Sequence, residues 1–237
     1  MQEYPSPQRR RMASETATVM FVDLVEYTRT TTGLTREHID QLLNAFETLP
    51  MPVLERYGGT IVKKIGDALL ITFKSPTDAV LCGIALQHTF KRYNVTNRLR
   101  HPLRIRVAIH SGEVLKRDND VFGDAVNTAS RIESLSKPGQ VVFSDAVFSA
   151  MNKNEVPFVQ LGWQQLRGVK YPIRLFRVKT REDEVTQRRQ MIKGYIRRII
   201  AIIIVVGLLA LIGHYLWLNF GLSQQMQETI ENLTSIG

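Results

Sequence analysis

Apolar and polar positions follow two different periods along the chain. Short apolar runs rich in β-branched residues and closed by turn residues predict strands over 18–24, 60–65, 68–73, 103–110 and 140–143. Longer segments with apolar residues three or four positions apart predict helices over 76–93, 124–135 and 35–57, the last bent by Pro50 and Pro52. A short partner strand follows Gly112, and residues 158–178 predict a hairpin. This alternation indicates an α/β fold, or an α+β fold with a mixed β-sheet flanked by helices.

A different hydrophobic pattern occupies the C-terminal part of the chain. Residues 199–218 are almost uniformly apolar. About twenty such residues suffice for a helix to cross the ~30 Å hydrocarbon core of a bilayer. Tyr215 and Trp217 lie at the far end, where interfacial aromatic residues are expected. Basic residues precede the segment and none follows it, so the positive-inside rule places the preceding domain in the cytoplasm.

These patterns divide the chain into consecutive parts. We expect a flexible basic arm over 1–15, one folded domain over 16–180 and a basic juxtamembrane linker over 181–198. A transmembrane helix over 199–219 and a short tail on the non-cytoplasmic side over 220–237 complete the prediction. The chain is therefore predicted to be a single-pass protein of the plasma membrane or the inner membrane.

Charge and cysteine content narrow the functional classes. The formal net charge is +9, and the densest basic runs are at 9–11 and 188–198, outside the predicted folded domain. Basic runs in such places are typical of solvated arms or membrane-surface contacts, so we expect no nucleic-acid partner. Cys82 is the single cysteine, which excludes a disulfide within the chain and fits a reducing compartment.

Two acidic residues end apolar strands in a way that predicts metal ligands. Asp23 lies within FVDLVEYT, and Asp67 follows the glycine of KKIGD. A carboxylate at a strand end beside an open loop is a hard oxygen ligand, and two of them suit a pair of Mg²⁺ ions that grip a triphosphate. Backbone amides around Asp23 are candidates for phosphate contacts, at Val22, Leu24, Val25, Glu26 and Tyr27.

A third motif, VFGDAVNTASRIES, covers residues 121–134. Asn127 and Arg131 are four residues apart in it, so they project from one face of a helix. Together with the two aspartate motifs, this segment resembles the catalytic domain of class III nucleotidyl cyclases over residues 17–178.

The resemblance implies a fold, a reaction and a site. The fold is a ferredoxin-like, palm-like mixed sheet, and the reaction is attack of the ribose 3′-OH on the α-phosphorus of a nucleoside triphosphate. Two Mg²⁺ or Mn²⁺ ions would be held by Asp23 and Asp67. Asn127 would orient the ribose and Arg131 would stabilise charge on the phosphorus. Both would come from the partner subunit, which implies a homodimer.

The resemblance also indicates how the base is selected. Lys63 stands three residues before Gly66, where adenylyl cyclases of the family carry lysine, and Asp120 matches the acidic adenine contact of the family. A lysine donor and an aspartate acceptor complement N1 and N6 of adenine and mismatch guanine. Lys64 is a minor alternative to Lys63. The predicted enzyme is an adenylyl cyclase that makes 3′,5′-cyclic AMP and pyrophosphate from ATP.

One further contact to the triphosphate is implied less directly. Arg167, in LRGVK, falls where many relatives carry a lysine that contacts the triphosphate, and Lys170 is the alternative. The arginine departs from the family pattern and keeps its positive charge.

Other hypotheses stay open at this point. A cyclase for GTP or a pyrimidine nucleotide would share the metal aspartates but should lack the pair Lys63 and Asp120. A catalytically silent, membrane-bound regulatory homologue would be expected to lack a metal ligand, the asparagine or the arginine. A polymerase of palm-like topology would need a template groove, for which one small domain has little room.

Overall fold

The computed structural model describes residues 13–25, 35–99 and 102–234, except the side chains of 38, 187 and 218–234. Its strands are β1 Ala13–Val25, β2 Thr60–Ile65, β3 Ala68–Phe73, β4 Arg104–Arg117, β5 Asp120–Phe122, β6 Val141–Ser144, β7 Phe158–Gln164 and β8 Ile173–Val178. Its helices are α1 Arg36–Thr48, α2 Met51–Tyr57, α3 Pro76–Thr96, α4 Asp124–Leu135, α5 Asp145–Ala150 and α6 Arg181–Thr234. The described residues before position 180 and those from 180 onward form two units.

The first unit is built on one mixed sheet. Its strand order is β2-β3-β1-β4-β6-β8-β7, and β5 pairs with the C-terminal end of β4. The β4–β6 pair is parallel and the other pairs are antiparallel. Strands β1 and β4 are paired along the whole length of β1. The prediction of an α+β fold with a mixed sheet flanked by helices is confirmed.

Alternation along β1 divides the core between the two faces of the sheet. Met20, Val22 and Leu24 belong to the larger buried cluster, which includes residues of α1, α2 and α3. Phe21 belongs to a second cluster on the opposite face, together with residues of α4. Because successive side chains of a strand point to opposite faces, Asp23 shares the face of Phe21. The sheet therefore places this carboxylate on the side of α4.

Helix α4 lies close to the sheet because β4 carries a glycine beneath it. A Cβ at Gly112 would lie 3.1 Å from the Cβ of Ala125, tighter than ordinary van der Waals contact. Ala125 and Ala129 are themselves small and buried. These small residues fix a short separation between the helix and the central strands.

Two tight turns present acidic residues at the ends of hairpins. Gly66 has φ +61° at the first central position of the β2–β3 turn, where a type II′ turn requires glycine, and Asp67 follows it. Asp118 and Asn119 have φ +48° and +64° in the β4–β5 turn. Asparagine and aspartate tolerate this left-handed region better than other non-glycine residues, so a type I′ turn forms and Asp120 begins the returning strand.

The structure differs from the predicted elements in several places. Strand β1 begins at Ala13, inside the arm predicted over 1–15, α5 was not predicted, and the linker predicted over 181–198 is part of α6. The single helix predicted over 35–57 is two helices, α1 and α2, because Pro50 has no backbone N–H to continue the first. Pro52 is accommodated in the first turn of α2, where a missing N–H has no penalty. Strand β4 continues through Gly112 to Arg117 instead of ending at 110, since β1 pairs with it as far as Lys116.

The second unit is dominated by α6, one helix of 54 residues. Among the described residues it contains the single stretch that is long and apolar enough to cross a membrane, by length and composition. Its large apolar side chains between Ile199 and Trp217 are exposed. A helix that is apolar on every face suits lipid better than water. The predicted boundaries at 199 and 219 stay predictions, because α6 continues through both.

Candidate active site

Asp23 lies near the end of β1, directly opposite Arg106 of β4. Its carboxylate is buried, and its Oδ2 accepts a hydrogen bond from Arg106 Nε at 2.7 Å. The same oxygen lies 2.6 Å from Arg106 Nη2. Burial raises the pKa of Asp23, and the Arg106 guanidinium opposes that rise. A cross-strand ion pair therefore holds the first predicted metal ligand in place.

Glu133 of helix α4 contacts the same guanidinium from the helix layer that covers this face of the sheet. It extends from the last turn of α4, and its Oε1 forms an ion pair with Arg106 Nη2. Burial raises the pKa of Glu133 to about 7. The charge of Arg106 opposes the rise, while the charges of Asp23 and Asp67 and a side-chain hydrogen bond with Asp23 add to it. Asp23, Arg106 and Glu133 are called the buried cluster below.

Arg106 and Glu133 are site residues that were not predicted from the sequence. Arg106 could have been predicted to be a site residue. It is charged, and it lies two positions from the buried Ala108 on one strand, so both side chains point to the same face of the sheet. Its partner could not have been predicted, because pairing with Asp23 depends on the register between two strands more than 80 residues apart. Glu133 lies within the motif over 121–134, but its position on an amphipathic helix does not distinguish it there from a solvent-facing residue.

Asp67 stands at the tip of the β2–β3 turn and is exposed. Its backbone carbonyl accepts a hydrogen bond from the Leu24 N–H at 3.1 Å, which ties the turn to the end of β1. Its charge contributes to the raised pKa values of Asp23 and Glu133. The fold thus brings the two predicted metal ligands to the same end of neighbouring strands.

The chemistry of these donors fits a hard divalent cation. Asp23 and Asp67 offer carboxylate oxygens, which Mg²⁺ and Mn²⁺ prefer to nitrogen or sulfur. Within residues 13–25, 35–99 and 102–234, no group of three or more His, Cys, Asp or Glu side chains is arranged to hold a metal on its own. Sites with one or two carboxylates commonly complete the coordination of Mg²⁺ with water and substrate phosphates.

The predicted phosphate contacts of the β1 backbone need correction. Val22 is paired with strands on both sides, and the Leu24 N–H donates to Asp67. These two amides serve the sheet and the turn, so they are not available to a phosphate in this conformation. Val25 ends β1 and stays a prediction. Glu26 and Tyr27 lie outside the described residues.

Lys63 and Asp120 form a second charged contact. Nζ of Lys63 lies 2.6 Å from Oδ2 of Asp120. The backbone N–H of Val121 donates a hydrogen bond to Oδ1 of Asp120 at 2.8 Å. Nζ also lies 5.2 Å from the centre of the Phe122 ring. The hydrogen bond from Lys63 lowers the pKa of Asp120. Lys64 pairs instead with Glu47 of α1, so only Lys63 contacts the second predicted base residue.

Asn127 and Arg131 lie on the outer face of α4, and both are exposed. The inner face of that helix carries Ala125 and Ala129, which pack on the sheet. In the part of the chain that the structure describes, neither the Asn127 nor the Arg131 side chain makes a hydrogen bond or an ion pair. Their polar groups are therefore available to a molecule outside this chain.

Arg167 and Lys170 lie between β7 and β8, and both are exposed. Nζ of Lys170 lies 5.2 Å from the centre of the Tyr171 ring. Strand β8 is three positions from β1 in the sheet, and β2 and β3 lie on the other side of β1. Neighbouring strands are roughly 4.8 Å apart, so these two residues are distant from Asp67 within one chain.

The family profile and the relatives that match this chain point to the same protein family. A family profile described as the adenylate and guanylate cyclase catalytic domain matches residues 10–180. The serine/threonine-protein kinase pkn2 of Myxococcus xanthus is 36% identical over 160 residues, which are 68% of this chain and 19% of the kinase. An adenylate cyclase of Streptomyces coelicolor is 33% identical over 138 residues, 58% of this chain and 34% of that protein. The chain thus spans about a fifth to a third of these relatives.

Solved structures agree with the sequence matches. The adenylyl cyclase CyaB from P. aeruginosa is 27% identical with a TM-score of 0.65, covering 73% of this chain and 98% of that one. The guanylate cyclase domain of RhGC from Catenaria anguillulae, solved with GTP, is 26% identical with a TM-score of 0.62. It covers 71% of this chain and 99% of the solved one.

Proposed function

The chain belongs to the family of adenylate and guanylate cyclase catalytic domains, and on that premise we propose that it converts ATP to 3′,5′-cyclic AMP and pyrophosphate. The observation that carries the choice of ATP is the 2.6 Å contact between Lys63 and Asp120. This contact brings together one donor and one acceptor that are 57 residues apart in the sequence.

The hydrogen-bonding pattern of adenine matches that pair. Lys63 donates to N1 of adenine, and Asp120 accepts from the amino group at N6. Guanine presents an N1–H donor and an O6 acceptor, so both contacts would be mismatched. A site built to hydrogen-bond its substrate rejects the wrong partner by up to ~10⁴-fold, because its own polar groups are left unpaired. Adenine would enter by replacing the contact between the two side chains with two contacts to the base.

The residues at the phosphate end divide the remaining work. Asp23 and Asp67 would hold two divalent cations, and the chemistry these would supply is a lower pKa of the ribose hydroxyl and neutralisation of charge on the leaving pyrophosphate. Asn127 orients the ribose. Arg131 offers a planar fork of donors to the oxygens around the reacting phosphorus, and Arg167 or Lys170 contacts the triphosphate.

The active species in this proposal is a homodimer. The exposed outer face of α4 supports it, since Asn127 and Arg131 find no partner groups within the described part of their own chain. In a symmetric dimer each chain gives Asp23 and Asp67 to one site and Asn127 and Arg131 to the other. Two equivalent composite sites result.

GTP is the second candidate substrate. The solved guanylate cyclase domain resembles this chain about as closely as the adenylyl cyclase does, so the overall fold does not discriminate between them. Only side chains at the base can decide, and Lys63 with Asp120 favours ATP.

The C-terminal helix completes the proposal as a single membrane anchor. The exposed apolar side chains of α6 between Ile199 and Trp217 support it, and the basic residues before them favour a cytoplasmic cyclase domain. Removal of residues after 178 should move the protein from the membrane pellet to the soluble fraction. A truncated protein that still pellets with membranes would contradict the anchor.

Nucleotide selectivity is the direct test of the proposed reaction. Purified full-length protein in detergent is incubated with Mn²⁺ and with ATP, GTP, CTP or UTP in turn, and cyclic products are identified by mass. We expect cyclic AMP as the main product and GTP turnover slower by about tenfold or more. Equal or faster turnover of GTP would overturn the base assignment. Absence of any cyclic product would favour a catalytically silent homologue.

A further inference from the structure

We propose that Glu133 is a positioning residue of the active site, which acts through Arg106 to keep the Asp23 carboxylate open for a metal ion. This inference rests on the proposed two-metal reaction. Glu133 itself contacts neither substrate nor metal in the proposal. Its effect is on the orientation of the arginine that holds Asp23.

The contacts of the guanidinium carry the argument. Arginine and a carboxylate usually pair as two forks, with one hydrogen bond to each oxygen. In the buried cluster the two short contacts from Arg106 Nε and Nη2, at 2.7 and 2.6 Å, both end on Asp23 Oδ2. Oδ1 therefore lies outside the arginine fork.

The position of Glu133 explains why the fork is offset. Its Oε1 forms an ion pair with Nη2, the same nitrogen that approaches Asp23, although this oxygen accepts no hydrogen bond among the described residues. Attraction on that side draws the guanidinium away from a symmetrical approach to Asp23. Without Glu133, the arginine would be free to close on both oxygens of Asp23 and to compete with a cation for them.

Burial makes this geometry effective. The side chains of Asp23, Glu133 and Arg106 are 7%, 13% and 26% exposed, so water competes little for the guanidinium. Two strands and one helix supply the three residues, and the short separation at Gly112 fixes that helix against the sheet. A long arginine side chain held between two carboxylates keeps one orientation.

Metal binding without nucleotide tests the inference independently of catalysis. Mn²⁺ binding to the full-length protein in detergent is measured by electron paramagnetic resonance for the unmodified chain, Glu133→Gln and Glu47→Gln. Loss of a group that orients a metal ligand weakens affinity by about 10- to 100-fold, so we expect that rise in Kd for Glu133→Gln. Glu47→Gln removes an exposed carboxylate from the Lys64 pair and should leave Kd unchanged.

A double-mutant cycle distinguishes positioning through Arg106 from other roles. If Glu133 acts through the arginine, Glu133→Gln should have little further effect in an Arg106→Gln background. An unchanged Kd for Glu133→Gln would overturn the proposal, as would the same rise in Kd in both backgrounds. If Glu133→Gln does not fold, as judged by circular dichroism, Glu133→Asp takes its place in the cycle with the same criteria.

These measurements distinguish failure of the positioning role of Glu133 from failure of the proposed function. Mn²⁺ affinity is measured without nucleotide, so the wrong choice of base would leave it untouched. Mn²⁺ binding that is insensitive to Asp23→Asn would instead overturn the metal assignment itself. In that case the positioning role would fall with it.

Discussion

The buried cluster and the Lys63–Asp120 pair both place a carboxylate beside a basic side chain, but the carboxyl pKa shifts in opposite directions in the two places. In the buried cluster, desolvation dominates, and it raises the pKa values of Asp23 and Glu133 despite the neighbouring arginine. In the Lys63–Asp120 pair the hydrogen bond dominates and lowers the pKa of Asp120. The side chains of this pair are 38% and 27% exposed, whereas that of Asp23 is 7% exposed.

The difference separates a fixed site from an exchangeable one. A buried carboxylate that is costly to ionise gains most from a cation, which suits Asp23 to metal binding. A half-exposed ion pair contributes little to stability, so it can be opened by a ligand at small cost. The base end of the proposed site is therefore adaptable, and the metal end is preorganised.

The largest expected loss of activity comes from substituting a metal ligand in one chain and a residue on the outer face of α4 in another. Asp67→Ala and Asn127→Ala should each lower cyclase activity by roughly a thousandfold, the scale of several kcal/mol of lost transition-state stabilisation. Mixed in equal amounts, the two variants should recover roughly a quarter of full activity, because half of randomly formed dimers contain one intact site of two. Cyclic AMP production after mixing is the measurement.

The matched control for this mixing experiment uses two lesions on the metal side. Asp67→Ala mixed with Asp23→Ala should recover nothing, because each site of the mixed dimer then lacks one metal ligand. Recovery in that control, or none between Asp67→Ala and Asn127→Ala when mixed dimers are shown to form, would contradict composite sites.

A smaller effect should follow from disrupting the base end. Lys63→Glu places a second carboxylate beside Asp120 and removes the donor to N1 of adenine. A charged hydrogen bond is worth about 1.5 to 3 kcal/mol, so kcat/KM for ATP should fall by about 10- to 100-fold. Lys64→Glu changes the same charge at the neighbouring position and should leave kcat/KM nearly unchanged. The opposite ranking would transfer the base contact to Lys64.

The smallest effect concerns the pH dependence of stability. The pKa of Glu133 rises from an ordinary value of 4.5 to about 7 on folding. Between these values the folded protein retains a proton that the unfolded chain has lost, so the free energy of unfolding falls as pH rises through this window. Glu133→Gln should reduce that loss by about 1 to 3 kcal/mol, measured by denaturation between pH 5 and 8. An identical slope in the variant would show that Glu133 has no such role.

The two ends of the site also differ in how far sequence predicts them. Asp23, Asp67, Lys63 and Asp120 stand in short motifs at strand ends and turns, where local pattern is informative. The turn at Asp118 and Asn119 delivers Asp120 through local backbone preferences alone. Most of the strands and helices were predicted for the same reason, and the family was confirmed by comparison.

Arg106 and Glu133 were not predicted, because their role depends on distant pairings. Arg106 meets Asp23 through the register of β1 and β4, and Glu133 meets both through the packing of α4 on the sheet. The break at Pro50 was underestimated for a local reason, since a missing N–H ends a helix where a bend was expected. The Leu24 N–H was predicted to contact phosphate, but it donates to the backbone carbonyl of Asp67. Sequence did not predict this bond because the acceptor lies in the β2–β3 turn, distant along the chain.

With Asn127 and Arg131 facing outward from a single chain, the output of the proposed enzyme depends on its abundance in an unusual way. While monomers predominate, the number of complete sites grows with the square of the protein concentration, so doubling expression raises the signal about fourfold. Once dimers predominate, the response becomes linear. Gene dosage alone would then set whether a cell operates in the steep or the proportional regime.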